Sequence, residues 1–110
     1  MGVYVDAADI LVQAGVSAPS AAETAWSETV EDAIEGAIAH ALDDGAFTPT
    51  SSQTAALTAA AMLDALALFE MRSAPHGVLS ITVDGEVARL GAAQLRASWP
   101  ILYPINPGIG

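Results

Sequence analysis

His40, Asp43 and Asp44 are the first residues along the chain whose types and spacing could do chemistry. In the stretch "HALDD" they stand at i, i+3 and i+4. On a helix that spacing puts an imidazole and two carboxylates on adjacent turns, an arrangement metal sites use. No second ligand motif accompanies them, so the simpler reading is a helix C-terminus, where an imidazole sits well against the negative end of the dipole. His76 stands between Pro75 and Gly77 and reads as a solvated turn histidine. Asp84-Gly85-Glu86 reads as turn chemistry rather than a paired acid and base. Asp64 interrupts an alanine-rich run. It is a candidate buried acid, and its plainer reading is a carboxylate facing a neighbour's arginine or water.

The chain has no cysteine and no lysine, and only two histidines. Thiolate nucleophiles, Cys-ligated zinc, disulfides and Schiff-base chemistry are therefore excluded. No glycine-rich phosphate loop is present. No catalytic residue, cofactor or metal is expected, and the functional reading turns to surfaces.

Charge is the strongest bulk property. Thirteen acids face three arginines, for a formal net charge of −10. Nine of the acids and none of the arginines fall in residues 1–44. Phosphate-backbone binding needs clustered Lys and Arg, so ordinary nucleic-acid binding is disfavoured. The plainer reading of the acidity is solubility and host composition; the functional one is a surface that repels DNA or meets a basic partner. The hydrophobic fraction is 53 % but aromatics make up only 5 %, which leaves a core built mostly from alanine and aliphatic side chains in one domain of 110 residues. "MGVYVDAAD" carries neither the basic region nor the apolar run of a signal peptide.

The elements that must position these groups are legible from capping and periodicity. "VDAADILVQAG" predicts a short first helix: Asp6 as its cap, Val5 and Ile10 as a hydrophobic staple, Gly15 as its stop. Ser20 and Glu23 match a capping box. Trp26, Val30, Ile34, Ala37, Ile38, Ala41 and Leu42 then recur at three- and four-residue steps. Glu28, Asp32, Glu35 and Asp43 fall largely on the other side, so the second helix is amphipathic with an entirely acidic polar face. Thr50 and Gln53 repeat the capping-box spacing. They open a long central helix over 53–72, apolar on nearly all sides through Leu57, Met62, Leu63, Leu66, Leu68, Phe69 and Met71. Asp64 within it speaks against a membrane span, and burial in a bundle or between subunits is expected instead.

Beyond the Pro75–Gly77 break, Asp84-Gly85 flanked by residues 78–83 and 86–90 predicts a β-hairpin. A short helix is expected over 91–98, stopped by Pro100. The proline-rich end "SWPILYPINPGIG" is expected to be extended, because a residue before proline is pushed out of the helical region. The expected architecture is mainly α: a small helical bundle with one long central helix, a β-hairpin near 78–90 and an extended C-terminal arm. Residues 1–98 would form the domain and 99–110 the arm.

This order of elements, and "ALALFEMRSAPHGVLSITVDGEVARL" in particular, resembles the small head-to-tail connector (adaptor) proteins of tailed bacteriophages. The likeness is a pattern of elements over roughly residues 5–103. This chain departs from the family in its scarcity of basic residues and its proline-rich tail. The resemblance implies a structural virion protein at the neck, assembled in the host cytoplasm. It implies a ring, usually a dodecamer, between the portal protein and a tail-proximal neck or terminator protein. DNA would pass through the bore without specific binding, and no membrane is involved.

On that footing Glu28, Asp32 and Glu35 are expected to line the channel. Leu57, Leu63, Leu66 and Phe69 are expected to pack subunits together. Trp99, Ile101, Leu102, Tyr103 and Ile105 are expected to dock the arm on a neighbour; the other reading is that the arm packs back on its own domain. The competing readings are a small acidic, antitoxin-like regulator acting on a basic partner, and another neck ring protein such as a tail terminator.

Overall fold

The computed structural model describes residues 2–73 and 95–107. Among them are four α-helices and no strand: α1 (Ala7–Gln13), α2 (Ala21–Ala41), α3 (Ser51–Phe69) and α4 (Trp99–Ile105), with 3₁₀ turns at Asp43–Gly45 and Glu70–Ser73. The mainly α expectation holds. The β-hairpin expected over 78–90 lies outside the described residues, as does most of the helix expected over 91–98. Its described remainder, 95–98, is a bend and turn.

Two helices start where the capping residues say they should. The Ser20 hydroxyl accepts from the Glu23 N–H at 3.1 Å, and Glu23 Oε1 accepts from the Ser20 N–H at 3.0 Å. Thr50 and Gln53 make the same reciprocal pair at 3.2 and 2.8 Å. Each pair satisfies two backbone donors that a helix start would otherwise leave open. At the end of α1, Gly15 (φ 81°) allows the Val16 N–H to reach the Leu11 carbonyl and the Gly15 N–H to reach Val12. Those are the two bonds of a Schellman stop.

The first helix differs from expectation. Asp6 occupies the cap position, but its side chain makes no cap bond. Glu31 of α2 does that work instead, accepting the Ala7 N–H at 2.8 Å. Glu35, one turn on, accepts from the Tyr4 N–H at 2.6 Å and the Val5 N–H at 2.8 Å. The segment before α1 is thus clasped by two carboxylates of its neighbour. Gly2 is required there, because a Cβ would run into the Val5 carbonyl and come within 2.6 Å of Glu35 Oε2.

The core lies where α1, α2, α3 and α4 meet. Val30, Ile34 and Ile38 of α2 face Leu57, Ala61, Ala65 and Phe69 of α3, closed by Ile10, Leu95 and Leu102. Alanines at 33, 37, 41, 61 and 65 are all buried, and they let the helices approach closely with few aromatic side chains to fill space. Trp26 is half-buried against this core, and its indole N–H donates to the Phe69 carbonyl at 3.2 Å, covering one open acceptor at the end of α3.

The C-terminal segment corrects the expected extended arm: Trp99–Ile105 is α-helical and packed on the bundle. Pro100 falls in the first turn, where a missing N–H costs nothing. Pro104 falls in the last, so the helix is short but not broken early. Tertiary bonds outweigh the local preference of residues before proline. Leu102 is fully buried. Asp64 accepts from the Ala97 N–H (2.8 Å), the Ser98 N–H (2.9 Å) and the Ser98 hydroxyl (2.6 Å). Asn106 Nδ2 donates to the Ala41 carbonyl at 2.8 Å. Asp64 therefore faces its own chain's backbone, not a neighbour's arginine or water.

Removing that carboxylate leaves three donors without an acceptor, the two of Ser98 buried and that of Ala97 part-buried. Asp64→Ala is expected to cost about 2–4 kcal/mol, and Asp64→Asn, which keeps one acceptor oxygen, roughly half as much. Urea unfolding followed by circular dichroism measures both; equal stability of all three proteins would contradict the assignment.

Candidate interaction surface

Every helix of the bundle has spent part of its surface inside, and the question is what remains outside. On α3 the buried residues are Leu57, Ala60, Ala61, Asp64, Ala65, Leu68 and Phe69. The opposite side carries Ala55, Ala59, Leu63 and Ala67, with Met71 just beyond the helix in the following 3₁₀ turn, all exposed and four residues apart. Leu63 is 62 % exposed and Met71 46 %. Met62 and Leu66 flank this row, half-buried against the core. No charged side chain interrupts the row from 55 to 67. An uncharged outer face on a helix of a highly charged chain is the feature that calls for a partner.

Of the four residues expected to pack subunits together, Leu57 and Phe69 are fully buried in the chain's own core. Leu66 is half-buried and Leu63 is open. The helix is apolar on nearly all sides, as expected, and among the described residues one side of it is buried. It is long and apolar enough to cross a membrane, with 39 % of the qualifying window buried. Its Asp64, however, is tied into α4.

The acids divide in the same way. Glu28 and Asp32 are exposed on α2, while Glu35 is half-buried and holds the Tyr4 and Val5 N–H groups. Glu31 is buried and holds Ala7. Asp6, Ala7, Ala8, Glu28, Glu31 and Asp32 line an open cleft of about 450 Å³ between α1 and α2. Its chemistry suits a cationic side chain. The sequence reading missed Glu31 and Asp64 as caps of other helices. The available signal was position: Glu31 lies between Val30 and Ile34, on the edge of the buried face.

His40, Asp43 and Asp44 do not form a shared face. The helix ends at Ala41, and Asp43 (φ 53°), Asp44 (φ 51°) and Gly45 (φ 97°) turn in the left-handed region. The i, i+3, i+4 geometry holds only on a continuous helix, and all three side chains are exposed. Among the described residues no group of three His, Cys, Asp or Glu side chains is placed to hold a metal ion. Of the expected arm anchors, Leu102 is fully buried, Trp99, Ile101 and Ile105 are half-buried on the core, and Tyr103 alone is open, at 52 % exposure.

Burial, and secondarily the charge of Glu35, holds the Tyr4 phenol above its ordinary value of 10.0. The neutral phenol is the form the folded state favours. The resulting stabilisation is present below pH 10 and is lost as pH rises through the folded-state value. In a Tyr103→Phe background Tyr4 is the remaining tyrosine. Its phenolate absorbance is expected to appear with a midpoint above 10.0, and Glu35→Gln to bring that midpoint part of the way down. A midpoint at or below 10.0 would remove the claim. No protein-family model matches the chain, and comparisons with curated proteins and with solved structures give no match either.

Proposed function

We propose that this chain is a structural subunit of the neck of a tailed bacteriophage, forming a ring between the portal protein and the tail. The observation that carries the reading is the two-sided bundle. One side, on α3, is an uncharged apolar helix face. Another, on α1 and α2, has carboxylates as its titratable side chains, apart from His40 at the end of α2. In a ring, the uncharged side would serve subunit contacts, and exposed Glu28 and Asp32 would repel passing DNA and keep it from sticking. Glu35, which holds two backbone N–H groups, would contribute charge without moving. The order of elements that resembles head-to-tail connectors supports the same reading. The chain's own residues would then work by shape and repulsion, with no cofactor.

The acidic cleft favours a second reading, a small interaction protein that receives a basic partner between α1 and α2. Its four carboxylates, Asp6, Glu28, Glu31 and Asp32, are suited to an arginine or lysine side chain.

Co-expression with a portal protein, followed by negative-stain imaging and native mass measurement, separates the two. The ring reading expects portal-bound assemblies many times the 11.1 kDa chain mass. In these, Glu28→Lys with Asp32→Lys should leave the ring intact but retard DNA passage and make portal–ring complexes retain DNA in a salt-dependent way. Failure to join a portal, with tight binding to a basic protein that the same double variant abolishes, would establish the second reading instead.

A further inference from the structure

The turn between α2 and α3 has the most unusual backbone among the described residues. Asp43 (φ 53°) and Asp44 (φ 51°) are the non-glycine residues at positive φ, and Gly45 (φ 97°) follows them. An L-residue in that region brings its Cβ against the following carbonyl oxygen, so two in succession hold strain. Asp44-Gly45 is also a reactive pair. An aspartate carboxyl can close a five-membered ring on the next backbone nitrogen, and glycine obstructs that closure least because it has no Cβ. We infer that Asp44-Gly45 is a site of spontaneous covalent modification, where the folded protein converts aspartate to isoaspartate. The inference goes beyond the ring reading and does not rest on it.

Water is the one co-reactant the chemistry needs. The Gly45 nitrogen attacks Asp44 Cγ and forms an N–Cγ bond. The Cγ–O bond of the protonated carboxyl breaks, and its hydroxyl leaves with the amide proton as water. The product is a cyclic succinimide. Water then adds to one of the two ring carbonyls. Addition at Cγ with breakage of N–Cγ returns aspartate. Addition at the backbone carbonyl carbon of Asp44, with breakage of its bond to the Gly45 nitrogen, leaves the chain running through Cβ and Cγ. The former backbone carbonyl carbon becomes the free carboxylate. Nothing is oxidised or reduced, and the net charge of the final product is that of the starting chain.

The structure singles out this aspartate among those it describes. Asp44 and Gly45 are both exposed, so water reaches the ring carbons. A Cβ built on Gly45 would meet nothing within 4 Å, which leaves room for the ring. The Gly45 N–H reaches the Leu42 carbonyl at 3.3 Å, a longer bond than the 3.1 Å bonds made next by Ala46 and Phe47, so its amide is the most readily released of the three. Asp9, Asp32 and Asp64 lie inside helices, where the next amide is committed to the ladder. The amide after Asp6 donates to Glu31, and Asp43 is followed by a residue with a side chain. The β-linked product has one more backbone carbon. With it the chain passes from α2 to α3 without two left-handed L-residues in succession, so release of that strain favours isoaspartate over return to aspartate.

Asp84-Gly85 is the other such pair in the sequence and lies outside the described residues. Trypsin separates the two, because the arginines stand at 72, 89 and 96 and there is no lysine. Asp44 falls in the peptide 1–72 and Asp84 in 73–89. The folded wild-type protein is held warm at neutral pH for weeks, and samples are digested and followed by mass spectrometry. Isoaspartyl carboxylates are counted by enzymatic transfer of a labelled methyl group from S-adenosylmethionine. The peptide 1–72 is expected to show a form one water lighter, then an isoaspartyl form of the original mass that fragmentation maps to Asp44. Asp44→Glu keeps the charge but must close a larger, less favourable ring, and should lose both forms with its circular-dichroism spectrum unchanged. Absence of isoaspartate from 1–72 in the folded chain, its persistence in Asp44→Glu, or its mapping to another aspartate would overturn the assignment. So would formation in the urea-unfolded chain alone, because the folded turn would then protect the pair. None of these outcomes depends on whether portal-bound rings form.

Discussion

The bundle depends on carboxylates that receive backbone N–H groups from other segments. Glu31 and Glu35 hold the start of α1 and the residues before it, and Asp64 holds the start of α4. Helix starts expose donors that must find acceptors once water is excluded. Both terminal helices have only seven residues, too few to persist alone in water. Each is held by a carboxylate projecting from one of the two long helices. An ionised acceptor makes these hydrogen bonds stronger than neutral ones. This accounts for acids at positions that would otherwise weaken a core.

With the short helices fixed from outside, the long ones can be thinly packed. Alanine fills much of the contact between α2 and α3, and the larger volumes come from Ile34, Ile38, Leu57 and Phe69. Trp26 and Asn106 add single bonds to the last carbonyls of α3 and α2. Among the described residues, one side of α3 is buried and the other is uncharged and open. The same chain concentrates its acids on α1 and α2. Under the proposed neck-ring reading the uncharged face would meet protein and the acidic face would repel passing DNA.

What sequence reasoning reached was local. The capping boxes at Ser20 and Thr50, the stop at Gly15 and the apolar stripe of α2 all follow from side-chain chemistry within one turn of the backbone they affect. The first three helices and the mainly α class followed from them. The division of acids between residues 1–44 and the rest was equally plain, and with it the expectation that ordinary nucleic-acid binding is disfavoured. The absence of cysteine and lysine narrowed the chemistry without any structure at all.

Tertiary structure decided the rest, because the deciding bonds join residues 24 to 65 positions apart. Proline spacing argued for an extended tail, yet Asp64, Ala41 and the burial of Leu102 make Trp99–Ile105 a helix. Asp6 has the chemistry of a cap, but Glu31 arrives from α2 and takes its place. Hydropathy could say that α3 is apolar all round, and not which side its own chain would cover. Leu57 and Leu63 are the same residue type six positions apart; one is sealed in the core and the other faces out. Only the packing of α1, α2 and α4 against one side of α3 distinguishes them.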